Sequence, residues 1–365
     1  MIRFIFLVLL IAAGVWVYFF LQAAGYFRTL EAKFDGTCKP VTAAGFAGPE
    51  DITIDAETNT VYLSGTDRRA AMAKHPVPGA IWSYDLANPN AQLVNLTPEA
   101  DAGFLPHGIS LYRAPDGKKT LFVINHGNDK QTVEIFDVAP GKLTHRRTVE
   151  GPELISPNDL VGVGPDQFFV TNDHANRDGF QRQLEDYLRL KQTTVSYYDG
   201  GKFYPALTNI GGSNGINATP NGDTVYLSAS SEQKVYVYDR NLTTGQLSQR
   251  SATDVPGYAD NIELLHDGSF LVGVHSKILD LLQNLSDPTH LAPSHIVRLS
   301  PDSHGGFAVN DVYVNLGQEI SASSVGAALN KRLLIGAIFE PKFLDCTWPS
   351  GPEAAPQAPM PAPTK

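Results

Sequence analysis

The sequence predicts an all-β chain folded as a six-bladed β-propeller, preceded by a hydrophobic helix and interrupted by one short helical insertion. The first observation is a hairpin pattern that recurs six times at a spacing of roughly 50 residues, the mark of a radially repeated fold. The second is the make-up of each copy: a polar pair, a short apolar or alternating strand, a Gly/Asn/Asp turn, then a strand rich in β-branched and aromatic residues. The third is how little helical periodicity the chain contains. A two-sheet sandwich is the competing all-β architecture, but it does not account for a sixfold repeat.

Taken in order, the chain opens with "FIFLVLLIAAGVWVYFFLQAA" over residues 4–24, which holds no charge and is long enough to span a bilayer at roughly 20 residues. An uncleaved signal anchor over residues 1–27 is expected. A cleaved signal peptide is the alternative, although its apolar core is normally only about 7–15 residues. The chain has two cysteines, Cys38 and Cys346, at opposite ends of the repeat region. The placement suggests a disulfide between the termini, formed in an oxidising compartment, with two separate buried thiols as the alternative. The propeller is expected over residues 28–348.

The six copies begin at Glu50 ("EDITIDAETNTVYLSGTD"), Pro106 ("PHGISLYRAPDGKKTLFVINHG"), Pro157 ("PNDLVGVGPDQFFVTNDH"), Ser213 ("SNGINATPNGDTVYLSASS"), Ala259 ("ADNIELLHDGSFLVGVHS") and Ala322 ("ASSVGAALNKRLLIGAIFE"). Further strands such as "AIWSYDL" and "TVEIFDV" lie between them, giving four per unit. The insertion is residues 177–192, where Phe180, Leu184, Leu188 and Tyr187 make one apolar face. Residues 349–365 are a Pro/Ala tail, too poor in core-forming side chains to pack, and are expected to be disordered.

The composition narrows function. The chain is 42% hydrophobic and 18% charged, with a net charge of −10, which argues against a nucleic-acid partner and suits a protein that gathers cations. In a propeller the first strand of each blade lines the central channel and the second runs back beside it. The polar pairs should therefore converge on one mouth: Glu50-Asp51, His107, Asn158-Asp159, Asn214, Asp260-Asn261 and Ser323-Ser324. The ends of the second strands bring Asp67, Asn125-His126, Asn172-Asp173-His174 and His275 to the same place. Any single pair reads as an ordinary turn former. Six at equivalent positions would crowd Glu50, Asp51, Asp159 and Asp260 around one channel, where like charges repel unless countered. An all-oxygen donor set favours Ca²⁺ over Zn²⁺. His107 and His126 open and close one hairpin, so one imidazole can orient the other.

Together "GPED", "LPHGIS", "VINH", "PNDLVGVGPDQFFVTNDH", "NGIN", "ADNI" and "VGVH" resemble the paraoxonases, a family of calcium-dependent lactonases and arylesterases, in order from Cys38 to Cys346. The resemblance implies two Ca²⁺ ions in the propeller tunnel. A catalytic ion would be held by Glu50, Asn158, Asn214, Asp260 and Asn261, and a structural ion by Asp51, Asp159 and the Ile109 carbonyl. It also implies a His107–His126 dyad that activates water, a further active-site histidine at His275, a Cys38–Cys346 disulfide and a retained N-terminal helix. Asp260 could instead serve as base or nucleophile. The expected substrate is a small lactone or aryl ester, the expected partner a membrane reached through the N-terminal helix, and the expected location extracytoplasmic. Two departures bear on substrate choice: the insertion is far more polar than the family's membrane-facing helix, and the loop over residues 66–79 carries Arg68, Arg69 and Lys74. A gluconolactonase-like hydrolase with one metal, and a non-catalytic calcium-stabilised propeller, are the alternative readings.

Overall fold

A computed structural model describes residues 1–127 and 130–353 of the chain. It contains six antiparallel sheets of four strands each. The innermost strands are Ile52–Asp55, Pro106–Arg113, Pro157–Gly164, Ser213–Ala218, Tyr258–Leu264 and Ser323–Leu329, one at the start of each predicted repeat. Each touches the next, so that they ring a central axis. The fold is the expected six-bladed propeller.

The sixth blade closes the ring. Its sheet consists of three strands from the C-terminal region and an outermost strand, Thr37–Val41, from the N-terminal end. Cys38 lies opposite Cys346 in that pairing, and the two form a disulfide across a separation of 308 residues. The alternative of two separate thiols is set aside.

The hydrophobic core lies between blades. Val161 and Phe169 of the third blade pack with Ile216 and Leu227 of the fourth. Ile52 and Leu63 of the first meet Val325 and Leu334 of the sixth. Burial of each such side chain contributes about 1.5–3 kcal/mol. Apolar residues on both faces of a blade thus serve two interfaces, and this is why many second strands are buried along their whole length, as in Thr224–Ala229.

Helix α1, Ile2–Ala23, has no buried residue and is the described helix that is long and apolar enough to cross a membrane. Its C-terminal end is tied to the propeller. Gln233 donates to the Ala23 carbonyl (2.6 Å), and Ile278 N–H donates to the Ala24 carbonyl. Arg28 Nη1 donates to the Ser276 carbonyl (2.8 Å). Gly25 has φ +73°, and a Cβ there would lie 1.9 Å from the Ser276 carbonyl oxygen, so only glycine lets the chain approach this closely.

Where one short helix is expected, three α-helices follow α1 among the described residues. These are α2 (Arg68–Met72), α3 (Gly179–Leu188) and α4 (Ile278–Ser286). The insertion at α3 is found, but its apolar face is turned outward. Phe180, Tyr187 and Leu188 are exposed, and Glu185 is the side chain that goes inside, accepting from the Ala175 N–H and the Asn176 amide. Periodicity gives a helix's faces but not which face the protein covers. The tail beyond Glu353 lies outside the described residues.

Candidate active site

A shared backbone device displays the polar pairs. In the second blade Pro106 pairs with Asn125 and Ile109 with Val123, so two residues, His107 and Gly108, oppose one. The same two-against-one bulge falls at Asn158-Asp159, Asn214-Gly215 and Asp260-Asn261. A bulge kinks the strand and re-aims its side chains. Here it breaks the alternation and presents polar groups to the axis. The ring is tight enough to need glycine: a Cβ on Gly108 would meet the Asn158 carbonyl at 2.6 Å, and one on Gly215 the Asp260 carbonyl at 2.3 Å.

Hydroxyls support the bulges from behind. Thr171 Oγ1 accepts from Asp159 N–H (3.0 Å), and Ser228 donates to the Asp260 carbonyl (2.6 Å). Ser324 donates to the Glu50 carbonyl (2.6 Å). Ser324 belongs to a pair expected at the mouth, but Thr171 and Ser228 escaped the sequence reading. Their signal is a Ser or Thr near the end of the second strand, as in "VTND" and "LSAS".

At the axis the predicted residues meet as follows. Asn261 Nδ2 donates to Glu50 Oε1 (2.9 Å) and to the Glu50 carbonyl (3.0 Å). His107 Nε2 lies 3.4 Å from Glu50 Oε2, and Arg68 Nη2 lies 3.8 Å from the same oxygen. His275 Nε2 is 2.7 Å from Asp260 Oδ2. Glu50, Asn158, Asp260 and Asn261 are all buried. Among the described residues, the buried oxygens Glu50 Oε2, Asn158 Oδ1, Asn214 Oδ1 and Asn261 Oδ1 have no hydrogen-bond partner. Buried acceptors are normally satisfied, and these four come from four separate blades.

Below them, Asp51 and Asp159 repeat one motif. Asp51 accepts from the N–H groups of Ile52 (2.8 Å) and Ile109 (2.7 Å). Asp159 accepts from those of Leu160 (2.7 Å) and Ile216 (2.7 Å). Each aspartate thus bonds its own blade to the next. At Ile109 the observed contact is the amide, while the expectation concerned its carbonyl.

The electrostatics are those of a site short of positive charge. Burial, and then the neighbouring Glu50, drive the Asp51 carboxyl well above its ordinary value. Burial and then Asp51 do the same to Asp159. Burial also raises Asp260, although His275 opposes it. Burial opposes ionisation of Glu50, but His107 in its protonated form, Arg68 and Asn261 prevail and hold it down to about 2. Unpartnered hard oxygens and crowded buried carboxyls suit a hard divalent cation. Among the described residues no three His, Cys, Asp or Glu side chains could hold a metal by themselves, so an ion at this axis depends on the asparagine carbonyls.

The histidine pair continues into a third residue. His107 Nδ1 is 2.6 Å from His126 Nε2, and His126 Nδ1 bonds to the Gln131 side-chain oxygen. That oxygen only accepts, so His126 carries its proton on Nδ1 and accepts at Nε2 from His107 Nδ1–H. When the His107 ring is neutral, its Nε2 lone pair is then left facing Glu50. Burial, and then His107, push His126 down to about 3, so it stays neutral. Gln131 was missed; it lies in the stretch after "VINH", where nothing in one sequence marks it.

Other expected mouth residues are structural. Asn125 accepts from Leu105 and Gly127 N–H, and Asn172 from Ile155 and Ser156 N–H. Asp67 caps α2 through Ala70 N–H. Asp173 accepts from Ser156, and His174 lies between Asp173 and Asp186. His295 sits between Ser276 (2.7 Å) and Asp311 (2.8 Å). Ser276 and His295 are buried while Asp311 is exposed, so this chain of contacts runs from the interior to the surface.

Fold and axial site together define a propeller of the ester- and lactone-hydrolysing class. Among solved structures, a gluconolactonase from Xanthomonas campestris matches with a TM-score of 0.51 at 15% identity, over 88% of this chain and 99% of that one. A luciferin-regenerating enzyme matches with a TM-score of 0.53 at 12% identity, over 87% and 98%. These likenesses concern the fold. The family model described as Arylesterase matches residues 72–347. Bovine serum paraoxonase/arylesterase 2 (Bos taurus) is 32% identical over 80% of this chain and 84% of its own length. Human serum paraoxonase/arylesterase 1 is 29% identical over 82% and 85%, and human serum paraoxonase/lactonase 3 is 29% identical over 82% and 86%. The chain belongs to the arylesterase family, the paraoxonases, and is an ester-hydrolysing enzyme.

Proposed function

We propose that the chain hydrolyses lactones and aryl esters at the propeller axis with two Ca²⁺ ions, one at the reacting centre and one structural. Glu50, Asn158, Asn214, Asp260 and Asn261 would hold the first, and Asp51, Asp159 and the Ile109 carbonyl the second. The observation that carries this reading is the set of four unpartnered buried oxygens from separate blades. When bound, the ion supplies Lewis-acid polarisation of the substrate carbonyl and a counter-charge for its developing oxyanion.

The remaining work falls to the chain. His107 Nε2 takes a proton from the attacking water. His126 holds the His107 ring in the required tautomer, and Gln131 holds that of His126 in turn. The acyl carbon–oxygen bond breaks, and the released oxygen takes the proton back from His107. His275 positions Asp260 through their 2.7 Å contact. The end of α1 is bonded beside Ser276, next to His275, which supports a membrane-anchored enzyme whose mouth faces the bilayer, and the Cys38–Cys346 disulfide supports an extracytoplasmic location.

The test is a panel of lactones and aryl esters with and without a calcium chelator, on wild type and Asp260→Ala. Wild type should turn over with calcium alone, and the variant should not turn over. An Asp260→Ala enzyme as active as wild type on every substrate would end the reading.

A further inference from the structure

The loop over the axis puts one positive charge into the site. Asp67 caps α2 through Ala70 N–H, which turns the next two side chains inward. Arg69 latches the loop down: its Nη2 donates to the Asn284 carbonyl (2.7 Å) and Oδ1 (3.0 Å), and its guanidinium lies 4.5 Å from the Phe339 ring centroid. Arg68 goes to the reaction centre. Its Nη1 donates to the Gly48 carbonyl (2.9 Å), fixing the plane of the group. Its Nη2 has no hydrogen-bond partner among the described residues, although it is 3.8 Å from Glu50 Oε2.

That spare N–H is the informative feature. A guanidinium nitrogen out of water with no acceptor is costly. Glu50 relieves it in part, but under the function proposed above Glu50 serves the metal. Four carboxylates then match two divalent ions, and Arg68 is left without a counter-charge. Its unpartnered Nη2 lies 3.8 Å from Glu50 Oε2, the carboxyl that the proposed function gives to the catalytic ion. The family match begins at residue 72, after Arg68.

We propose that Arg68 is a specificity-determining residue that receives a carboxylate on the substrate, so that the preferred substrates are short lactones or esters bearing an acid group close to the scissile bond. This rests on the ester-hydrolase reading. The carboxylate completes the hydrogen bonding of Nη2 and neutralises the surplus charge, a charge-assisted contact in a site sheltered from water.

The experiment compares kcat/KM for 5-oxotetrahydrofuran-2-carboxylate with that for its neutral carboxamide, using the calcium-loaded enzyme. Wild type should favour the carboxylate by about 10–100-fold. The ratio should fall to about one in Arg68→Gln and be largely regained in Arg68→Lys. A second readout does not involve turnover: calorimetric binding of the ring-opened hydroxy diacid should weaken by about tenfold or more in Arg68→Gln. Equal use of the two substrates by wild type, or an unchanged ratio in Arg68→Gln, overturns the inference and leaves the hydrolase reading standing. Failure of wild type to cleave any lactone or ester overturns both. If Arg68→Gln does not fold, the wild-type ratio and Arg68→Lys decide the matter.

Discussion

At the scale of residues, the site is explained by which polar atoms have partners. Asn125 and Asn172 have theirs in nearby backbone N–H groups and shape loops. Asn158, Asn214 and Asn261 keep free oxygens, which the proposed function assigns to the metal. Both kinds look alike in sequence, where an asparagine beside a strand is first a turn former. The repeat showed where the polar residues gather, but hydrogen bonding separates ligand from cap. On this account His107→Gln costs roughly 10²–10⁴-fold in kcat, as expected for a general base. Gln131→Leu should cost less, because it frees the His126 tautomer without removing the base. Steady-state kinetics on one aryl ester checks both, and a Gln131→Leu loss equal to that of His107→Gln would contradict the assigned order.

At the scale of elements, two features decide the geometry. The bulges bring polar pairs to the axis, and Gly108 and Gly215 let adjacent inner strands approach. Gly108→Ala would place a methyl 2.7 Å from Asp159 Cα; a loss of about 1–3 kcal/mol is expected, read by chemical denaturation, with weakened calcium binding. The sequence could not reveal a bulge, because one extra residue in a strand leaves no compositional trace. Helix α3 is the second feature. Its apolar face was legible, but its exposure was not, because Glu185 and His174 anchor it through polar contacts that periodicity ignores. Burial lowers His174, yet hydrogen bonds to Asp173 and Asp186 prevail and raise it to about 9. A raised histidine stabilises fully below its unfolded value of about 6.5 and loses that contribution as pH climbs through about 9. Amide exchange in residues 179–188 should therefore show less protection at pH 10 than at pH 6 after correction for intrinsic rates. The difference should vanish in His174→Gln.

At the scale of the whole molecule, fold, closure and family were legible because they are repeated or distributed. Six copies of one hairpin specify a propeller, and two cysteines at its ends specify the seam. Replacing both Cys38 and Cys346 by Ser should cost about 2–5 kcal/mol, measured by urea denaturation, since the bridge closes nearly the whole chain. Substrate choice was legible only as an unexplained basic loop, because what Arg68 faces is set by contacts across blades. The account as a whole depends on metal held at the axis by oxygens from separate blades. Its most direct test is to count Ca²⁺ per chain by native mass spectrometry while following aryl-ester hydrolysis as a chelator is titrated in. Two ions per folded chain, with activity disappearing as the more readily removed ion leaves, is the predicted result. A folded chain that holds no calcium and hydrolyses the ester at full rate would contradict it.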